Sequence, residues 1–85
     1  MRVSYRTKGV CSQAIEFDLE DNIVTNVQVI GGCHGNSQGV SALAEGMDAD
    51  ELIRRLKGIR CGYKDTSCPD QLATALEKAK AKLAE

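Results

Sequence analysis

The stretch Gln13-Ala14-Ile15-Glu16-Phe17-Asp18-Leu19-Glu20-Asp21-Asn22-Ile23-Val24-Thr25-Asn26-Val27-Gln28-Val29-Ile30 decides the fold. Ile15, Phe17 and Leu19 alternate with Glu16, Asp18 and Glu20, the period of two that belongs to a strand with one dry face and one wet face. Glu20-Asp21-Asn22 supplies turn chemistry, because Asp and Asn tolerate the left-handed backbone that a tight hairpin demands. A further apolar run, Ile23 to Ile30, then sets Val27 and Val29 on one face and Asn26 and Gln28 on the other. The result is an antiparallel hairpin folded about Asp21 and Asn22, in which residues whose numbers sum to about 42 to 44 stand opposite one another.

Outward from this hairpin the elements continue on both sides. Before it, Val3, Tyr5 and Thr7 alternate with Arg2, Ser4, Arg6 and Lys8, a further strand that Gly9 ends. After it, Gly31-Gly32-Cys33-His34-Gly35-Asn36 joins strand to helix, and its glycines permit positive φ and close backbone approach. Asn36 or Ser37 is placed to cap a short helix with Val40, Leu43 and Ala44 as its apolar stripe and Gly46 as its stop. Asp48-Ala49-Asp50-Glu51 opens a second helix, with Leu52, Ile53 and Leu56 facing inward and Arg54, Arg55 and Lys57 in water. Gly58 ends that helix. Ile59 to Asp65 reads as a loop. Thr66-Ser67-Cys68-Pro69-Asp70 starts the last helix, whose Leu72, Leu76, Ala79 and Leu83 repeat at helical spacing. The expectation is one α+β domain over residues 1–85: a three-stranded antiparallel sheet followed by three helices packed on one face.

Composition narrows the function classes. A chain of 85 residues buries a modest core, and with Tyr5, Phe17 and Tyr63 as its aromatic residues and no Trp, that core must be aliphatic. Such a domain gains from an added staple. The net charge is -1 and no face is basic, which excludes nucleic acid and an anionic membrane as expected partners. The amino-terminal residues alternate in polarity and hold no continuous apolar segment, so the expected compartment is the cytoplasm. In that reducing setting four cysteines point to metal binding or thiolate chemistry rather than to disulfides.

The hairpin arithmetic places Cys11 beside Gly31 to Cys33. Cys11 also shares the parity of Ile15, Phe17 and Leu19, which aims it at the covered face of the sheet. Cys68 opens a helix, where unpaired N–H groups and the helix dipole favour a thiolate. Cys61 is joined to it by a short loop. Cys11, Cys33, Cys61 and Cys68 can therefore close one tetrahedral site, although no Cys-x-x-Cys pair is present. Zinc(II) is the simplest occupant, and an iron–sulfur cluster is the other species that the same ligands accommodate. Four thiolates on a divalent cation leave a formal charge of about -2, which Arg60, Lys64 or backbone N–H groups near Gly32 and Gly35 are placed to offset.

His34 is the one histidine and could replace a sulfur, but adjacent residues seldom aim at the same ion. The plain alternative for the whole set is four unconnected thiols. No Ser/His/Asp constellation, phosphate loop or paired-carboxylate site appears, so no catalytic residue is assigned. Arg54 and Arg55 are most simply a solvated helix face.

Thr66-Ser67-Cys68-Pro69-Asp70 spells the motif that names the TSCPD domain family. Gly31-Gly32-Cys33-His34-Gly35-Asn36, Leu56-x-Gly58-Ile59-x-Cys61 and Cys68-Pro69-Asp70-Gln71-Leu72 resemble the rest of that family's pattern. The family includes short free-standing proteins and the carboxyl-terminal domains of adenosylcobalamin-dependent ribonucleotide reductases. What the resemblance implies is an accessory role in deoxynucleotide synthesis beside a ribonucleotide reductase large chain, the present chain being far too short for the reductase barrel itself. Nucleotide binding and a homo-oligomeric state stay open at this point.

A more distant likeness is to the U-type iron–sulfur scaffold proteins of the SufE/NifU-like fold, in which cysteines occupy the places of Cys11, Cys33 and Cys68. Gln13 and Ser67 stand where those scaffolds carry Asp and His, and Cys61 is additional. These departures favour a closed four-thiolate site over a labile cluster. The alternatives to a structural metal module are thus an iron–sulfur assembly scaffold or carrier, and a thiol–disulfide donor to a reductase.

Overall fold

A computed structural model describes residues 1–10, 12–31, 34–60, 62 and 66–84, and for 34–37 and 84 the backbone alone. The elements run β1 (Arg2–Arg6), β2 (Ser12–Glu20), β3 (Ile23–Gly31), α1 (His34–Ala44), β4 (Met47–Asp48), α2 (Ala49–Leu56) and α3 (Cys68–Ala84). The hairpin is present as expected. Asp21 and Asn22 take φ of 51° and 65°, the pair of positive values that lets a two-residue turn match the twist of its strands.

The sheet has four antiparallel strands in the order β1-β2-β3-β4, which corrects the expected three. Gly46, at φ 76°, reverses the chain after α1 and lays Met47 and Asp48 along β3. The Gly46 N–H donates to the Val24 carbonyl at 2.7 Å, and the Ala49 N–H to that of Asn22 at 2.8 Å. A strand of two residues has no alternation to betray it.

Two bulges alter the parity on which sequence reasoning depends. Between the Glu16–Gln28 and Asp18–Thr25 pairs, β3 carries an extra residue at Asn26, which sits at φ 52°. Its N–H is satisfied by the Glu45 carboxylate at 2.9 Å. Val24 therefore faces the core together with Val27, although their numbers differ in parity. Between Ser12–Gly31 and Ala14–Ile30 the extra residue is Gln13 on β2, opposite Gly31 at φ 79°. Ser12 is consequently buried and Gln13 exposed. This bulge removes the shared parity that aimed Cys11 at the covered face; Cys11 itself lies outside the described residues.

One face of the sheet carries the core. Ile15, Phe17 and Leu19 of β2 and Val24 and Val27 of β3 meet Ala44 of α1, Ala49 and Leu52 of α2, and Leu72, Ala75, Leu76 and Ala79 of α3. All three helices thus cover the same face, as expected. Helix α2 starts where the sequence placed it, for the Asp48 side chain accepts from the Glu51 N–H at 3.1 Å. Ile53 and Leu56 pack against the core beside Leu52.

Helix α1 begins at His34, earlier than a cap at Asn36 or Ser37 would set it. Val40 and Ala44, four residues apart, turn toward the core, and Leu43 is rotated away and 75% exposed, which corrects its place in the stripe. Helix α3 runs from the open end of the hairpin, beside Ser12, to the turn, where Leu83 and Lys80 lie near Leu19 and Asn22. Leu83 is 57% exposed there, past the end of the core that Ala79 still joins. No helix among the described residues is long and apolar enough to cross a membrane.

Candidate metal centre

The first turn of α3 organises the open end of the hairpin. Ser67 is its N-cap: the Ser67 Oγ accepts from the Asp70 N–H at 3.1 Å, and the Ser67 carbonyl accepts from the Gln71 N–H at 2.8 Å. The same hydroxyl donates to the Ile59 carbonyl at 2.7 Å. Ile59 stands two residues before Cys61, so the cap of α3 also holds the chain that leads to that cysteine. A Pro in the first turn costs the helix no hydrogen bond, and Pro69 sits there.

Cys68 is 6% exposed. Its Sγ donates to the Ser12 Oγ at 3.3 Å, and that hydroxyl donates to the Thr7 Oγ1 at 3.4 Å. The Thr7 hydroxyl in turn donates to the Ser12 carbonyl at 2.7 Å. Ser12 pairs across the sheet with Gly31. Three backbone positions are thereby gathered at one end of the molecule: Ser12, directly after Cys11; Gly31, two residues before Cys33; and Ile59, two residues before Cys61.

Cys11, Cys33 and Cys61 lie outside the described residues, as do Lys64 and the side chain of His34. Among the described residues, no group of three or more His, Cys, Asp or Glu side chains is placed to hold a metal ion. Arg60 is exposed. Arg54 and Arg55 both pair with Glu51, the latter at 2.7 Å, so the solvated helix face expected of them is what the structure has.

Sequence reasoning did not single out Asp70 and Gln71 as more than helix-start residues. Each is 8% exposed. One Asp70 carboxylate oxygen accepts from the Gly58 N–H at 2.7 Å and the other from the Thr66 hydroxyl. Burial is the largest influence on this carboxyl and pushes its pKa up, but the Thr66 hydroxyl, the Gly58 N–H and the Lys57 charge together hold it below its usual value. The Gln71 Nε2 donates to the Thr66 Oγ1 at 3.0 Å, and its Oε1 accepts from the Lys8 N–H at 3.1 Å. A buried Asp or Gln needs partners, and that need was the available signal; the identity of the partners depends on the tertiary fold.

Cys68 supplies the one cysteine sulfur among the described residues, buried at a helix amino terminus with the Ser12 hydroxyl beside it, a soft donor of the type that zinc and iron–sulfur clusters take. Residues 1–80 match the model of the TSCPD domain. No curated protein and no solved structure matches the chain.

Proposed function

Since the chain belongs to the TSCPD domain family, we propose that it is a metal-stapled accessory module whose Cys11, Cys33, Cys61 and Cys68 hold one zinc ion. The observation that carries this reading is the gathering of Ser12, Gly31 and Ile59 around the first turn of α3, where Cys68 is buried. Consecutive α-carbons lie about 3.8 Å apart, so Cys11, Cys33 and Cys61 are tethered to these anchors by at most about 8 Å of chain. Bound zinc supplies a cross-link among three distant parts of a small aliphatic domain, and its binding free energy becomes folding free energy.

The partner in this reading is a ribonucleotide reductase large chain, and the setting is deoxynucleotide synthesis in the cytoplasm. This rests on the family's association with reductase carboxyl-terminal domains. The likeness of cysteine order to the SufE/NifU-like scaffolds supports the competing reading, an iron–sulfur scaffold or carrier; a thiol donor to a reductase is the third. Protein purified without oxygen separates them. One zinc per chain favours the module, visible charge-transfer absorption the scaffold, and four freely titrating thiols the redox role. Failure to co-purify with a reductase large chain would remove the partner and leave the module.

A further inference from the structure

The chain has two segments that arrive at α3 carrying a cysteine: the turn after β1, which leads through Gly9 and Val10 to Cys11, and the stretch between Gly58 and Thr66, which holds Cys61. Neighbouring side chains on α3 fasten one segment each. Gln71 takes the Lys8 N–H of the first, and Asp70 takes the Gly58 N–H at the start of the second and the Thr66 hydroxyl at its end. Thr66 joins the two halves, accepting from the Gln71 amide while donating to the Asp70 carboxylate.

We infer that Thr66, Asp70 and Gln71 form a double clasp that positions the cysteine-bearing segments on the first turn of α3, acting as positioning residues for the metal centre. The inference rests on the proposed metal function for its consequence but not for its geometry. Asp70 and Gln71 are buried and Thr66 half-buried, and the three side chains satisfy one another and the two segments, so an unmet partner on either buried side chain costs more than the bond it replaced. The two segments also touch directly. A Cβ at Gly9, which sits at φ 74°, would come within 3.2 Å of the Thr66 Cγ2, so the close approach of the first segment to the second needs glycine there.

The chemistry separates positioning from mere stability. Groups that orient metal ligands without touching the ion change affinity by about 10- to 100-fold when removed. Thr66→Val keeps the volume and removes the hydroxyl; Thr66→Ser keeps the hydroxyl. Asp70→Ala and Gln71→Ala each open one half of the clasp.

The experiment loads wild type and these four variants with zinc and follows release to a colorimetric chelator at 25 °C, alongside amide hydrogen exchange of the metal-free proteins. Thr66→Val and Asp70→Ala are expected to release zinc at least about tenfold faster, with Thr66→Ser close to wild type. In exchange, Asp70→Ala should deprotect Gly58 and its neighbours and Gln71→Ala should deprotect Lys8, while the amides of β2 and β3 keep their protection. A wild type that binds no zinc sinks the metal reading alone, since the exchange pattern still decides the clasp. Variants whose segment amides exchange like wild type, or whose sheet amides are deprotected equally, overturn the clasp whatever the metal does.

Discussion

The Cys68 Sγ donates to the Ser12 Oγ at 3.3 Å, joining residues 56 positions apart in the chain. This contact sets the start of α3, and with it the Cys68 sulfur, against the open end of the β2–β3 hairpin. Cys68→Ser keeps a hydroxyl at hydrogen-bond reach of Ser12 but removes the soft donor. The expected outcome is loss of zinc uptake with the sheet retained, checked by metal content and circular dichroism of the same sample. Full metal occupancy in this variant would exclude Cys68 as a ligand.

The hairpin turn makes a second prediction. Asn22 sits at φ 65°, and its Nδ2 donates to Asp48 at 2.8 Å and Asp50 at 3.1 Å, tying the turn to β4 and α2. Asn22→Ala places a Cβ residue in the left-handed region and drops both bonds, a loss of about 2 kcal/mol. Asn22→Gly keeps the backbone and loses the bonds alone, so its melting temperature should fall between those of wild type and the alanine variant. Equal melting of all three would mean that the turn contributes nothing specific.

Phe17 is fully buried among aliphatic side chains and is the largest such group in the core. Phe17→Ala should cost about 3–5 kcal/mol, a large part of the stability expected of so small a domain. The metal-free variant should be mostly unfolded at 25 °C by urea titration, and added zinc should restore its cooperative transition. A variant that unfolds equally with and without zinc would show that the ion does not staple the fold.

Acid stability follows from α2 and its neighbours. Hydrogen bonds from Arg54 and then Arg55 lower the Glu51 pKa below 4.5, and those from Lys80 and then Asn22 lower that of Asp50 below 3.8. A depressed carboxyl stabilises the fold above its unfolded value and loses that contribution as pH falls through the folded one. Metal-free Glu51→Gln should therefore melt below wild type at neutral pH and converge with it as pH falls through the lowered value of this carboxyl. At the alkaline end, the hydrogen bond to Glu77 raises the Lys57 pKa above 10.5, so that its contribution is present below this value and is lost as pH climbs beyond it. Melting curves across pH check both limbs.

The core and the site differ in how much of them a sequence can show. The alternation of Ile15, Phe17 and Leu19 announces β2 because one face of a strand repeats every second residue, and Asp48 announces α2 because its short side chain caps the N–H of Glu51. Local patterns fail where one residue is inserted. The bulges at Asn26 and Gln13 each shift the parity of the strand beyond them, which is why Val24 and Ser12 are buried against the simple alternation. Strand β4 is too short for a period, and Leu43 departs from its expected stripe because the phase of α1 is set by its packing on β3. For the site, Cys68 at a helix start was legible, whereas the Lys8–Gln71 bond spans 63 positions and belongs to the tertiary fold.

The most direct test measures zinc and iron in anaerobically purified wild-type protein together with the number of sulfhydryls that react before and after denaturation. One zinc per chain, with four thiols shielded in the native state and all four released on unfolding with chelator, is the predicted result. Metal-free protein whose thiols react separately and at unequal rates would contradict the shared centre.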